Sequence, residues 1–163
     1  MAENTADSHV LTESEEKIAE IVAKIMQGET IMRAEIGLDD NDMEALYAVT
    51  YNVYQSGKYV DAVKLFGILS VLDPTDYRFV FGGASSLQML GEYLMASMYF
   101  QLAAGLDTEN PAPMLHSAEC FLALKDRDGA KFALEQAVER AAGKAEFAPF
   151  RQKAEVMLEN LSA

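Results

Sequence analysis

Gly57-Lys58-Tyr59-Val60-Asp61-Ala62-Val63-Lys64-Leu65-Phe66 returns 34 residues later as Gly91-Glu92-Tyr93-Leu94-Met95-Ala96-Ser97-Met98-Tyr99-Phe100. One period further on it becomes Lys125-Asp126-Arg127-Asp128-Gly129-Ala130-Lys131-Phe132-Ala133-Leu134. A small residue recurs at Ala62, Ala96 and Ala130, and a large apolar one four positions later at Phe66, Phe100 and Leu134. A period of about 34 residues is that of a helix–turn–helix unit. One such unit cannot bury its apolar face alone, so units stack into a curved array with an exposed concave surface.

Working outward, each unit can be numbered from Met43, Tyr77 and Pro111. The eighth positions are then Thr50, Ala84 and Ala118, all small, as close helix crossing requires. The period and these positions are those of the tetratricopeptide repeat. Helices are expected from Asp39 or Asp40 to about Gln55 and over Tyr59–Leu72, then roughly over Tyr77–Leu90 and Tyr93–Leu106. In the third unit they run to about Leu124 and from Arg127 to Ala142. Asn110-Pro111 suits a helix start, because asparagine caps and proline fits the first turn. The fold class is an all-α superhelix of three repeats, residues 39–142, with added helices at both ends.

Residues 1–12 are polar and aperiodic, expected to be a disordered tail. Residues 13–38 form an N-terminal helical region, for which Thr12-x-x-Glu15 has capping-box spacing. There Ile18, Ile21, Val22, Ile25 and Met26 recur at three and four. This narrow apolar stripe suits packing on the chain's own first repeat or dimerisation with a second copy. Residues 143–163 carry Phe147, Phe150, Ala154, Met157, Leu158 and Leu161 at helical spacing, a helix expected to cap the open end of the stack.

Twenty-six acidic groups against 13 basic ones give a formal net charge of −13. That sign repels a phosphate backbone and argues against nucleic acid as partner. A lone Cys120 builds no disulfide scaffold. No signal peptide is visible at the N-terminus, and no apolar stretch is long enough to span or insert into a membrane. The expectation is a soluble cytoplasmic protein.

The first helix of each pair lines the concave face. In repeat one it offers Glu44, Tyr47, Tyr51 and Tyr54, with three phenols on one face. Repeat two offers Arg78, Phe81, Ser85, Gln88 and Met89. Repeat three offers Ala112, Leu115, Glu119 and Leu122, with His116 at the edge. Ordinary core packing is the alternative. Tyrosine combines apolar area with a polar tip and suits an interface, whereas a buried face would more simply use leucine. Leu115 and Leu122 fit groove or core equally. Glu44 and Glu119, facing the groove, lead to the expectation that bound segments carry Lys or Arg beside their apolar anchors; the alternative is that the acidic groups only keep the solenoid soluble.

The run Leu46-Tyr47-Ala48-Val49-Thr50-Tyr51-Asn52-Val53-Tyr54-Gln55-Ser56-Gly57-Lys58-Tyr59 resembles the first repeat of the bacterial class II type III secretion chaperones of translocator proteins. Ala62, Phe66 and Leu72-Asp73 continue the likeness. Arg78-Phe79, Gly82-Gly83-Ala84 and His116-Ser117-Ala118-Glu119-Cys120 resemble later stretches of the same family, over about residues 15–142. The resemblance implies a bacterial cytoplasmic chaperone that binds an extended segment of each of two hydrophobic translocators. Tyr47, Tyr51, Tyr54 and Tyr59 match its aromatic groove residues, and Phe81, His116 and Glu119 lie at matching stretches. It further implies a homodimer, often formed through the N-terminal region, and for some members action with a transcription regulator. The sequence departs from the family at Lys125 and Arg127, where glycine and an aromatic are common, and at Ser117, where alanine is usual. A general repeat scaffold or transcription co-regulator of another complex is the alternative function.

Catalysis is not expected. His116, Glu119 and Cys120 share a helix at spacings of three and four, but no further histidine or cysteine completes a metal site. No base-and-orienter arrangement activates Ser117 or Cys120. Gly82-Gly83 precedes no Lys-Ser/Thr pair and follows no strand, so close helix packing explains it better than phosphate binding. No cofactor is expected.

Overall fold

The computed structural model describes residues 33–162 together with Glu16, Glu20 and Ala23. The expected tail, the capping box and the stripe Ile18, Ile21, Val22, Ile25 and Met26 lie outside the described residues. The chain divides at Asp39/Asp40 into two compact units. In the first, Arg33–Ile36 makes a single 3-10 turn, closed where Arg33 Nε donates to the Leu38 carbonyl at 3.3 Å.

The second unit contains seven described α-helices: α1 Asp40–Gln55, α2 Tyr59–Leu72, α3 Tyr77–Met89, α4 Tyr93–Leu106, α5 Ala112–Ala123, α6 Arg127–Ala141 and α7 Ala148–Ser162. Each packs on its neighbours in sequence. First helices of successive pairs also touch, α1 on α3 and α5 on α7. This is the tetratricopeptide superhelix. Helix ends fall within two residues of expectation, and the caps show why. Asp76 accepts from the Arg78 amide at 2.9 Å, Asn110 from the Ala112 amide at 3.0 Å, and Asp126 from the Gly129 amide at 2.9 Å. Each satisfies a first-turn donor that the helix leaves unpaired.

The small positions behave as close contacts. Ala62, Ala84, Ala96, Ala118 and Ala130 are completely buried, and Thr50 nearly so, its hydroxyl turned back onto the Leu46 carbonyl at 2.8 Å. Phe66, Phe100 and Leu134 are enclosed between repeats, each stabilising by about 2–3 kcal/mol relative to exposure. Gly82 marks the tightest approach. A Cβ there would stand 2.3 Å from Cζ of Phe66.

The turns inside the first two pairs end on Gly57 and Gly91, with φ of +75° and +80°. One period on, Lys125 adopts φ +61°. Repeat three therefore keeps the left-handed turn without glycine, at a local cost of about 1 kcal/mol. The departure from the family pattern at this position changes the residue and leaves the backbone path intact.

Candidate peptide-binding groove

Helices α1, α3 and α5 bring the expected aromatics to one face. Tyr47 and Tyr51 stack with ring centroids 6.1 Å apart, and Tyr51 stacks on Tyr54 at the same distance. Tyr54 meets the edge of Tyr59 at 5.5 Å. This phenol ladder follows from side chains at i, i+4 and i+7 of one helix. Tyr51 is 44% exposed while Tyr47 leans on Phe79 at 5.8 Å. Phe81 stands edge-on to Phe100 and to His116, and the His116 ring stacks on Phe100 at 5.3 Å. Between them opens a cleft of about 480 Å³, walled by Tyr47, Tyr51, Tyr54, Tyr77, Arg78, Phe81, Ser85, Gln88, Met89 and His116, with Phe66 and Gly82 as its floor. Its size and mixture of apolar walls with a few polar groups are those of a ligand site. A second hollow, lined by Thr108, Glu109, Gln136, Glu139 and Arg140, lacks any aromatic wall.

Each end of the groove holds an ion-pair network. At one end Arg78 joins Glu44 at 2.5 Å and Asp76 at 2.5 Å, while its guanidinium lies 4.8 Å over the Tyr47 ring. These bonds, to Asp76 and then Glu44, raise the Arg78 pKa further. At the other end Glu119 receives Lys153 at 2.6 Å and Gln88 at 3.2 Å, with Nδ1 of His116 2.9 Å away. Burial lifts the phenol pKa of Tyr47 and Tyr54 above the ordinary value, so both stay neutral hydrogen-bonding groups.

A tetratricopeptide-repeat family model matches residues 43–76. The low calcium response locus protein H of Yersinia pestis is 37% identical over 122 residues, 75% of this chain and 73% of that protein. PcrH of Pseudomonas aeruginosa, in complex with the chaperone binding region of PopD, superposes with TM-score 0.74 at 36% identity, covering 77% of this chain and 95% of PcrH. SycD of Yersinia enterocolitica, a type III secretion chaperone in complex with a peptide of the translocator YopD, gives TM-score 0.73 at 36% identity over 77% of this chain and 96% of SycD. The chain belongs to the family of type III secretion translocator chaperones.

In this family member the structure separates the expected groove residues into three groups. Tyr47, Tyr51, Tyr54, Arg78, Phe81, Ser85, Gln88, Met89 and His116 share the cleft wall. Tyr59 and Glu119 lie around it, Tyr59 behind Tyr54 and Glu119 beside His116, while Leu122 is half-buried on α5. Leu115 is the correction. It is 2% exposed and packs with Ala118, Leu134 and Ala154 in the core, because its direction on α5 falls toward α6 and α7.

Two groups had been missed. Tyr77 and Phe66 join the cleft from the first turn of α3 and from α2. Lys153 reaches in from α7. The signal for Lys153 was present, since it stands one period beyond Glu119. The groove carboxylates are also engaged within the protein, Glu44 by Arg78 and Glu119 by Lys153 and His116. Neither is the open negative site on which selection of basic segments was expected to rest.

Glu119 yields a pH prediction. Burial raises its pKa, yet hydrogen bonds from His116 and Lys153 outweigh that and bring it from an ordinary 4.5 to about 2. A depressed carboxylate contributes stability above its unfolded pKa and loses it as pH falls through the folded one. Glu119→Gln is expected to cost about 2 kcal/mol at neutral pH. The gap should close as pH drops from about 4.5 to about 2. Urea midpoints of both proteins across that range check it, and a gap constant with pH overturns it.

Among the described residues no cluster of three or more His, Cys, Asp or Glu side chains could hold a metal ion. Cys120 is fully buried, and burial followed by the charge of Glu119 pushes its thiol up to about 12, far from a nucleophile's range. No described helix is long and apolar enough to cross a membrane.

Proposed function

We propose that this protein is a non-enzymatic bacterial cytoplasmic chaperone that holds an extended segment of each of two hydrophobic type III secretion translocators. The observation that carries the reading is the open aromatic cleft on the concave face of a chain 36% identical to chaperones solved with translocator segments. PcrH has been solved with the chaperone binding regions of both PopD and PopB. Capture in this reading is an equilibrium, since the Gly82-Gly83 pair makes no phosphate loop. Apolar anchors of the client leave water for the cleft at about 25 cal/mol per Å², and the membrane-seeking parts of the client stay tethered to a soluble, strongly acidic carrier.

Co-expression with the translocators encoded in the same genome tests this. Each is expected to be recovered in soluble 1:1 complexes with this protein and to aggregate without it. A translocator equally soluble alone overturns the reading.

We further propose a homodimer held by the N-terminal stripe of Ile18, Ile21, Val22 and Ile25. Removal of residues 1–30 is then expected to halve the mass measured by light scattering. An unchanged mass moves the contact elsewhere, for which the charge-free helix α4 is the natural alternative. Its Leu94, Met98 and Leu102 are each more than half exposed.

A further inference from the structure

The ladder of groove positions continues beyond the third repeat. Tyr51, Ser85 and Glu119 stand one period apart, and the next rung is Lys153 on α7. The fold keeps that rung in line, because Nζ of Lys153 meets Oε1 of Glu119 just as Arg78 meets Glu44 one period apart at the opposite end. Tyr54, Gln88 and Leu122 lead in the same way to Val156, which is 50% exposed. Val156 lies one turn from Lys153 on the same helix face. A different face of α7, carrying Phe150, Ala154, Met157, Leu158 and Leu161, packs on the core. The helix that closes the stack is thus built like the first helix of a fourth repeat, and α5 contacts it as α1 contacts α3.

The charge on this rung is held in place and still accessible. Glu119 is fixed by His116 and Gln88 and takes one bond from Lys153. An ammonium has three donors, and the Lys153 side chain remains 53% exposed. Arg78, by contrast, already commits its guanidinium to two carboxylates.

We propose that α7 is a fourth wall of the client groove and recognises an acidic residue of the bound segment. The segment continues past the aromatic cleft, sets an apolar side chain against Val156 and Leu122, and places an Asp or Glu on Lys153. This rests on the reading of the cleft as a client site. First helices of adjoining repeats lie about 10 Å apart and an extended chain advances about 3.3 Å per residue, so the acid falls about three to six residues from the residue in the cleft. On a protein of net charge −13, a fixed cation at one rung makes the register of an acidic group a specificity element, since the same group elsewhere is repelled.

The test uses the full chain and random 16-residue peptides displayed on phage, followed by fluorescence anisotropy on synthetic versions of the selected peptides. Selected sequences are expected to carry Asp or Glu at a fixed distance from an apolar anchor. Changing that acid to its amide should weaken binding to the wild-type protein about tenfold and leave binding to Lys153→Gln unchanged. A shortened peptide with the anchor alone should bind both proteins alike. Equal binding of acid and amide forms to the wild type overturns the proposal. So does a Lys153→Gln variant that loses the anchor-only peptide, since that makes Lys153 a strut of the cap. Failure to select any peptide, or selected peptides indifferent to loss of Tyr47 and Tyr51, overturns the reading of the cleft and this inference with it.

Discussion

Replacing Tyr47 and Tyr51 together by alanine is expected to weaken client-segment binding about 100-fold while the far-ultraviolet circular dichroism stays near that of the wild type. Buried tyrosines in an interface commonly cost about 2 kcal/mol or more on truncation. The two rings touch at 6.1 Å, so their effects should fall short of additive. A combined loss of about 3 kcal/mol corresponds to the stated factor. The burden on the fold is smaller. The ring contacts of Tyr51 are with Tyr47 and Tyr54, its hydroxyl accepts from the Gln55 amide, and it is 44% exposed. Tyr47 also meets Phe66 and Phe79 and supports the Arg78 guanidinium, so about 1 kcal/mol of stability should go with it. Thermal melts alongside anisotropy separate the two effects. Helicity lost in step with affinity would show these rings to be core.

Gly82→Ala is the substitution expected to damage the fold most for its size. Alanine improves helix propensity over glycine by about 1 kcal/mol, so propensity alone forecasts stabilisation. At this site the new methyl would stand 2.3 Å from Cζ and 2.4 Å from Cε1 of Phe66. That ring is 1% exposed and must be displaced from its packed position to admit the methyl. Overpacking of this kind costs about 1–3 kcal/mol, and we expect a net loss of about 2 kcal/mol. Gly67→Ala is the internal control. It lies within α2, where an added Cβ meets nothing within 4 Å, and should gain about 0.5–1 kcal/mol. Opposite signs for two Gly→Ala changes in one protein, read from urea midpoints, check the packing argument directly. Two gains would leave propensity as the whole account. Gly82 also floors the cleft, so a larger side chain there should shut out client as well.

Much of this architecture could be read from the chain because repeats write the same instruction three times. The pairs Ala62/Phe66, Ala96/Phe100 and Ala130/Leu134 located the second helices, and Asn110-Pro111 located a helix start, where Asn110 accepts from the Ala112 amide. The tyrosine ladder was legible for the same reason, being three side chains on one helix face. What stayed hidden were relations between helices. Leu115 sits at a groove position by number, yet it is buried against Leu134 and Ala154 of the neighbouring helices. Lys153 was hidden because α7 carries the exposed Gln152 where the repeats have Thr50, Ala84 and Ala118. Its sequence therefore read as a cap, although its contacts are those of a fourth first helix. Pairing of Glu44 with Arg78 was visible in principle, since both occupy the second position of successive repeats. A count of charges concealed it, and the groove looked more negative than its geometry makes it.

The stacking order also says something about when this protein becomes competent. Every helix of the array packs on the helix before it or on the one two places back, so native contacts join stretches of chain made close together in time. Proteins of such low contact order fold in microseconds to milliseconds, whereas a ribosome adds about 5–20 residues per second. The aromatic cleft is complete once α5 has left the exit tunnel, because nothing in its lining lies beyond His116. The 40 residues that follow α5, about a quarter of the chain, are then still within the ribosome or being added. The cleft can therefore form before α7, whose Lys153 completes the network around Glu119, has emerged.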